Sequence, residues 1–404
     1  MLVAGAGAAA LVACASLAPV AGAEASPMAR AWTVQPSPNP EGALASTLQA
    51  VSCLGPGKCV AVGFSTHPSG HQIPDQAVLV EQLSHGTWTI MRTPTIGGVT
   101  SSALSGVSCP RAGFCVAIGF AQFAHGPAGL LAETWNGTSW SDTILPNPPG
   151  GIGPSLAAVS CAAKAACVAV GNYFNTKTAT YRALAERLRG SRWSVLPAPV
   201  PPHGGGATGN SEFSGADCPT ATQCEVVGNV AYNDTLQNVF AYGLSGSTWT
   251  YQRQVNPGPD PGNTDNAVSC GSTSACTSTG SVAIVGELTL AEFWDGSTWV
   301  RQVTPAAAHR PDGTLDSVSC DGGSSCVAVG QSYRVDPKNG HLIDPRVMGE
   351  VWNGRAWSQS PPVVPSGVSA GLAGISCPSP TACIAVGGAA TASSESTLVE
   401  AYTG

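Results

Sequence analysis

Apolar residues in this chain come in short runs of four or five, bounded by Gly, Asn, Asp and Pro, and the same order of runs returns along its length. The clearest recurring string is V-S-C-x5-C-V-A-V-G, with copies beginning at Val51, Val107, Val159, Ala216, Val268, Val318 and Ile375. Cys53 to Cys377 spans 324 residues in six intervals, a mean period of 54. Such a period marks a repeat architecture, in which each copy buries its apolar face against its neighbours.

Each copy reads as four strands separated by turn residues. In the third, these are Leu156 to Ser160, Val168 to Gly171, Leu184 to Leu188 and Arg192 to Leu196, with Gly190 supplying the tight turn between the last two. Equivalent turns fall at Trp135-Asn136-Gly137, Leu244-Ser245-Gly246, Trp294-Asp295-Gly296 and Trp352-Asn353-Gly354. Four strands per unit, seven times over, predict an all-β fold: a seven-bladed β-propeller with four antiparallel strands per blade. The seventh copy stops after its third strand, at Leu398 to Gly404. The missing pattern stands at the other end, in Ala31-Trp32-Thr33-Val34-Gln35. The expectation is a ring closed by the N-terminal strand joining the C-terminal blade, which removes two exposed edges.

Composition narrows the classes. Charged residues make up 10% of 404, and 49 Gly with 32 Pro supply about a fifth of the chain, which excludes coiled coils and highly charged disordered chains. A net charge of −7 gives no general attraction to nucleic acid or anionic lipid. Residues 2–22 are almost wholly apolar and small, and Ala21 and Ala23 stand at −3 and −1 of a cleavage point before Glu24. The expected organisation is a signal peptide over 1–23, a short linker over 24–30 and a single propeller over 31–404. Leu11-Val12-Ala13-Cys14 also reads as a lipobox, so the alternative is a lipoprotein signal ending before a lipidated Cys14. After residue 30 no apolar run is long enough to span a bilayer. A secreted or lipid-anchored, monomeric protein is expected.

The remaining fourteen cysteines pair at constant spacing: Cys53/Cys59, Cys109/Cys115, Cys161/Cys167, Cys218/Cys224, Cys270/Cys276, Cys320/Cys326 and Cys377/Cys383. In an oxidising compartment these are expected to be disulfides within each hairpin. The rival reading, seven metal sites, lacks clustered Cys/His ligands at zinc-like spacing.

The repeated S-C-x5-C-x-A-V-G and W-N-G-x-x-W-S strings, the second seen at Trp135 to Ser141 and Trp352 to Ser358, resemble those of secreted β-propeller repeat proteins common in actinobacteria. The resemblance covers about residues 31–404 and implies fold and location but no reaction. Asp217 in place of Ser, and Thr277-Ser278-Thr279 in place of the V-A-V run, depart from it.

Glu81, Glu133, Glu186, Glu292, Glu350 and Glu400 fall at one third-strand position, with Tyr242 in the fourth copy. A carboxylate repeated around a ring is expected to satisfy the same structural hydrogen bonds in every blade. Trp32, Trp88, Trp140, Trp193, Trp249, Trp299 and Trp357 are likewise expected to pack between sheets. Function is expected where symmetry breaks, on loops of the face carrying the second-to-third and fourth-to-first connections. His67, His71, His125, His203, His309 and His341 fall there, with Asp75, Asp234, Asp260, Asp312, Asp336 and Asp344. The long connections after Phe64 and Gln331 single out His67, His71, Asp75, Asp336, His341 and Asp344 as candidate ligand-binding residues.

No hydrolase, P-loop or dinucleotide signature is present. Asp295-Gly296-Ser297-Thr298-Trp299 lacks a residue of the sialidase Asp-box, and Arg310, Arg334 and Arg346 with Tyr333 fall short of a sialidase site. The expectation is a non-enzymatic extracellular binding or scaffold propeller recognising a glycan, peptide or protein, without metal or organic cofactor. The alternatives are a glycan-acting hydrolase or lyase, or a lipid-anchored sensor or cell-envelope structural protein.

Overall fold

The computed structural model describes residues 31–69, 74–202, 209–231, 237–256, 262–283, 287–305, 310, 312–321, 324–336, 338, 341–364, 368–392 and 394–404. Among them are twenty-eight strands and no helix. Repeat 1 shows the unit: Ala45–Gly55, Lys58–His67, Asp75–Ser84 and Thr87–Ile90, each antiparallel to the next. Repeats 2 to 6 form five separate four-stranded sheets of this order. The last three strands, Ser369–Ser379, Ala382–Ala390 and Glu395–Thr403, pair with Ala31–Gln35 as their fourth, in a register that sets Trp32 opposite Tyr402. One parallel bridge, Ala45 to Glu395, joins this sheet to that of repeat 1.

Each strand extends beyond its apolar run, because the flanking polar residues continue the ladder past the buried segment. In repeat 3 the strands are Gly151–Ala163, Ala166–Asn175, Thr180–Arg189 and Arg192–Val195. The V-A-V run buries both faces of the second strand with a period of two. Val116 and Ile118 pack against repeat 3, while Ala117 between them faces repeat 1. The last and first repeats share a core in the same way: Ile384, Val386 and Val399 pack with Leu48, Val51, Leu79 and Trp88.

The motif glycine answers to a bulge. In every first strand one residue is skipped by the pairing: Gln49, Ser105, Ala157, Ser214, Asn266, Asp316 and Ala373. Across from it stand Gly63, Gly119, Gly171, Gly228, Gly280, Gly330 and Gly387, where a Cβ would overlap a carbonyl oxygen of the bulged strand. The bulge displaces the local backbone toward its partner, so only glycine fits.

The cysteines pair as their spacing predicts. The disulfides are Cys53–Cys59, Cys109–Cys115, Cys161–Cys167, Cys218–Cys224, Cys270–Cys276, Cys320–Cys326 and Cys377–Cys383, with Cα atoms 3.9–4.1 Å apart. The second member of each, Cys59, Cys115, Cys167, Cys224, Cys276, Cys326 or Cys383, is buried at the start of its apolar run and joins the inter-sheet core.

The residue before each first cysteine reaches the next sheet. The N–H groups of Cys109, Cys161, Cys218, Cys270, Cys320 and Cys377 donate to side-chain oxygens of Ser52, Ser108, Ser160, Asp217, Ser269 and Ser319, at 2.7–3.0 Å. The N–H of Cys53 donates to Ser376 Oγ at 3.0 Å. Asp217 is thus a tolerated replacement: its second oxygen accepts from Ser160 Oγ. Among the described residues no helix is long and apolar enough to cross a membrane.

Repeat 5 departs from the apolar plan. Asp265 occupies the place of Leu48 or Leu315 and is fully buried beside Ser278, where repeat 4 has Val226 and the other five have Ala. Gln254 Nε2 donates to Asp265 Oδ2 at 2.5 Å and to Ser278 Oγ at 3.1 Å. Burial still pushes the Asp265 carboxyl up to about 7, and burial with the Asp265 charge pushes Glu292 up to about 9.

Candidate functional site

The seven bulge residues converge on one cavity of about 630 Å³. Gln49, Ser105, Ala157, Ser214, Asn266, Asp316 and Ala373 each line it, one from every repeat. Beneath it a constriction of about 170 Å³ is lined by the same seven positions and the two that follow each of them. The first of those following positions is always small: Ala50, Gly106, Ala158, Gly215, Ala267, Ser317 or Gly374. Close approach of the inner strands requires this, since a Cβ on Gly374 would stand 2.9 Å from Ala50 Cα.

Several bulge side chains also tie neighbouring sheets. Ser105 Oγ donates to the Leu156 carbonyl at 2.6 Å, and Ser214 Oγ donates to that of Asp265. Asn266 Nδ2 donates to Thr314 Oγ1 at 2.8 Å, and to the Leu315 carbonyl and Asp316 Oδ1 at 3.3 Å. The cavity is lopsided toward repeat 7, where Ala370, Gly371, Gly387, Gly388 and Ala390 leave room beside Thr47, Gln331 and Glu395. Gly388 follows the motif glycine at the place of Phe64, Phe120 and Gln331.

Sequence reasoning missed these residues, although one signal was legible. Four positions before each first cysteine the motif varies through Gln, Ser, Ala, Ser, Asn, Asp and Ala, while the residue before it is large and apolar in all but Asp265 and the residue after it is always small.

The expected candidates lie elsewhere on the same end of the sheets. His67 and Asp75 are not loop residues but the last cross-strand pair of their hairpin, and His67 Nε2 is 2.9 Å from Ser65 Oγ. The connection after Gln331 is mostly strand as well, through Val335 and again from Leu342. There the Asp336 N–H donates to the His341 carbonyl at 2.8 Å, and Asp336 Oδ1 accepts from the Lys338 N–H. Asp344 is held by arginines: Arg310 donates to its carboxylate and, at 2.5 Å, to its carbonyl. Arg346 Nε lies 3.3 Å and Arg334 Nη1 4.0 Å from the same carboxylate. Tyr333 donates to Gln331 Oε1. None of the five described candidates lines the cavity. His71 lies outside the described residues, as do His203, His309, Asp234, Asp260, Cys14 and the whole of 1–30. Asp312 is fully buried on its strand.

The disulfide cysteines belong to the scaffold and not to the site. Neither the first members nor Cys59, Cys115, Cys167, Cys224, Cys276, Cys326 and Cys383 line the cavity, because each bridge sits beside its hairpin turn, beyond the bulge and away from the mouth. Among the described residues no group of three or more His, Cys, Asp or Glu is placed to hold a metal ion.

The repeated glutamates are buried away from the cavity, but they do not make one common set of bonds. Glu81 accepts from Ser37 Oγ at 2.6 Å, whereas Glu292 and Glu400 accept from the Val255 and Val363 N–H groups. For Glu133 and Glu186 neither carboxylate oxygen has a hydrogen-bond partner among the described residues. The donors come from irregular inter-sheet linkers, so identical ladders do not impose identical caps. Burial pushes these carboxyls up, to about 7 for Glu81, Glu133 and Glu400 and about 8 for Glu186 and Glu350. The tryptophans pack between sheets, and most reach back to the previous sheet: Trp88, Trp299 and Trp357 donate to Gln35, Gln252 and Gln302. Asp295 closes its own turn, and donors from Ser297 and Thr298 lower its carboxyl to about 2.

Solved structures match this chain at low identity. YCF48 bound to D1 peptide is 12% identical, with 93% of this chain and 95% of that one covered at a TM-score of 0.50. Trypanosoma rangeli sialidase is 12% identical over 89% of this chain and 55% of its own, at 0.47. A fucose-recognising lectin from Aleuria aurantia, with a six-bladed β-propeller fold, is 14% identical over 81% of this chain and all of its own, at 0.46. The first bears on fold alone; the other two are too distant to carry an argument. No protein-family model and no curated protein matches the chain. Repeated four-stranded antiparallel sheets and paired cysteines fit a β-propeller repeat protein.

Proposed function

We propose that residues 31–404 form one closed seven-bladed β-propeller of the secreted actinobacterial repeat type. In this reading it acts outside the cell as a non-enzymatic binding module whose peptide or glycan ligand enters the axial cavity from the loop face. The observation that carries the reading is the cavity itself, to which each of the seven repeats contributes its bulge residue. A volume of about 630 Å³ falls within the usual range for small-ligand sites, roughly 300–1,000 Å³. Ring closure is supported by the Cys53 to Ser376 hydrogen bond and by the core shared between repeats 7 and 1. Seven disulfides and the apolar leader support export, with residues 1–23 removed or Cys14 lipidated. His67, His71, Asp75, Asp336, His341 and Asp344 would then meet those parts of a larger ligand that extend past the mouth.

The test is a screen of the secreted protein on glycan and peptide arrays beside Gly388→Phe. The backbone at 388 is not left-handed, and a Cβ there meets Glu395 Oε1 at 2.8 Å and Thr47 Oγ1 at 2.9 Å, groups that can shift. Phenylalanine, as at Phe64 and Phe120, should plug the mouth without unfolding the sheet. Array hits should weaken at least about tenfold; hits that survive in the folded variant would refute the cavity as the site. Mass spectrometry of the N-terminus tests the leader.

A further inference from the structure

Every charged side chain among the described residues of the cavity wall is acidic. Asp316 and Glu395 line it, together with amides and hydroxyls, and no described Lys, Arg or His does. The described wall also holds no Phe, Tyr or Trp. Two consequences follow for any occupant. A sugar ring finds no aromatic face, and a quaternary ammonium finds no aromatic cage. A group that donates several hydrogen bonds and carries positive charge is favoured in a cavity lined by both carboxylates, and it finds hydroxyl oxygens whose hydrogens are already committed. Ser105 and Ser214 donate into the wall, to the Leu156 and Asp265 carbonyls, so each turns lone pairs to its surroundings.

Resting on the cavity reading above, we propose that the cavity selects a primary ammonium presented by a peptide, a lysine side chain or a free N-terminus. Its three N–H donors suit the carboxylates of Asp316 and Glu395. The amide groups of Gln49 and Gln331, on the same wall, offer N–H donors to the carbonyls of the peptide that carries it. The room that Gly371, Gly387 and Gly388 leave on repeat 7 admits the chain beside Glu395.

The experiment is an NMR titration of the protein with Nα-acetyl-lysine N-methylamide, with its Nε-acetylated form and with glucosamine. The charged lysine derivative should bind, and the acetylated one should bind at least about tenfold more weakly, as should glucosamine. Asp316→Asn with Glu395→Gln keeps the shapes and should weaken the lysine derivative at least about tenfold. Equal binding of the charged and acetylated forms, or an unchanged double variant, would overturn the proposal. Tighter binding of glucosamine would replace the peptide by an amino sugar and overturn it too. If Gly388→Phe removes array ligands while the lysine derivative fails to bind, the ammonium assignment falls and the cavity stands. If array ligands survive Gly388→Phe, the cavity reading itself falls.

Discussion

Ser376, in the last repeat, accepts a hydrogen bond from the backbone N–H of Cys53, in the first, at 3.0 Å. Ser52 accepts the corresponding bond from Cys109, and the pattern continues through Ser108, Ser160, Asp217, Ser269 and Ser319. The serine of the S-C motif is therefore an inter-sheet clasp. Ser376→Ala leaves a part-buried N–H without its partner, which costs about 1–2 kcal/mol. Urea denaturation should show that loss for Ser376→Ala and for Ser108→Ala alike. A Ser376→Ala variant as stable as the wild type would show that the first and last repeats do not depend on the clasp.

Trp32 tests the same join from the outer edge. Its ring centroid lies 5.0 Å from that of Tyr402, and its indole N–H donates to the Ser360 carbonyl at 2.8 Å. Trp32→Ala should cost about 3–5 kcal/mol, as for other buried tryptophans. Removing residues 31–37 should also expose the Glu395–Thr403 strand as an open edge and promote aggregation, measurable by light scattering. A monomeric, fully stable deletion would contradict the pairing.

The buried glutamates give the fold a pH dependence. Glu133 and Glu186 are held at about 7 and about 8 by burial, above the unfolded value of 4.5. The folded state therefore binds protons more tightly, and stability should fall as pH rises from about 4.5 through 8. Each such group contributes a slope of at most about 1.4 kcal/mol per pH unit within its window. Glu186→Gln removes one titration. It should match the wild type near pH 4.5 and exceed it at pH 9 in thermal melts, and a steeper or unchanged slope would contradict the burial account.

Gly171 stands across the bulge at Ala157, and a Cβ there would overlap the Ser155 carbonyl oxygen. Backbone cannot move aside as a flexible side chain can. Gly171→Ala should destabilise the protein by about 3 kcal/mol or more, at the upper end of overpacking. Gly190→Ala makes a useful contrast: it strains a left-handed turn but meets nothing within 4 Å. It should cost about 1 kcal/mol.

The repeat, its four strands and its cysteine partners were legible because each is written as a local pattern repeated seven times. The Trp32 strand was legible for the same reason, since it supplies the pattern that the last repeat lacks. The bulge was not. A skipped residue such as Gln49 leaves no break in the apolar run, and only pairing with Gly63 and Val62 reveals it. For the same reason His67 and Asp75 read as loop when they are the end of a ladder. Polarity marked both as outside the core, where they are half-buried, but polarity does not report where pairing stops. Asp344 read as a ligand group because its three arginines are distant in sequence or two positions away, and only the fold brings Arg310 and Arg334 to it.

The most direct test is an X-ray structure of the protein. It should show seven four-stranded sheets in one ring, with Cys53 N–H on Ser376 Oγ and with Gln49, Ser105, Ala157, Ser214, Asn266, Asp316 and Ala373 around a single cavity. Six or eight sheets, an open gap between repeats 7 and 1, or bulge residues facing separate spaces would contradict it.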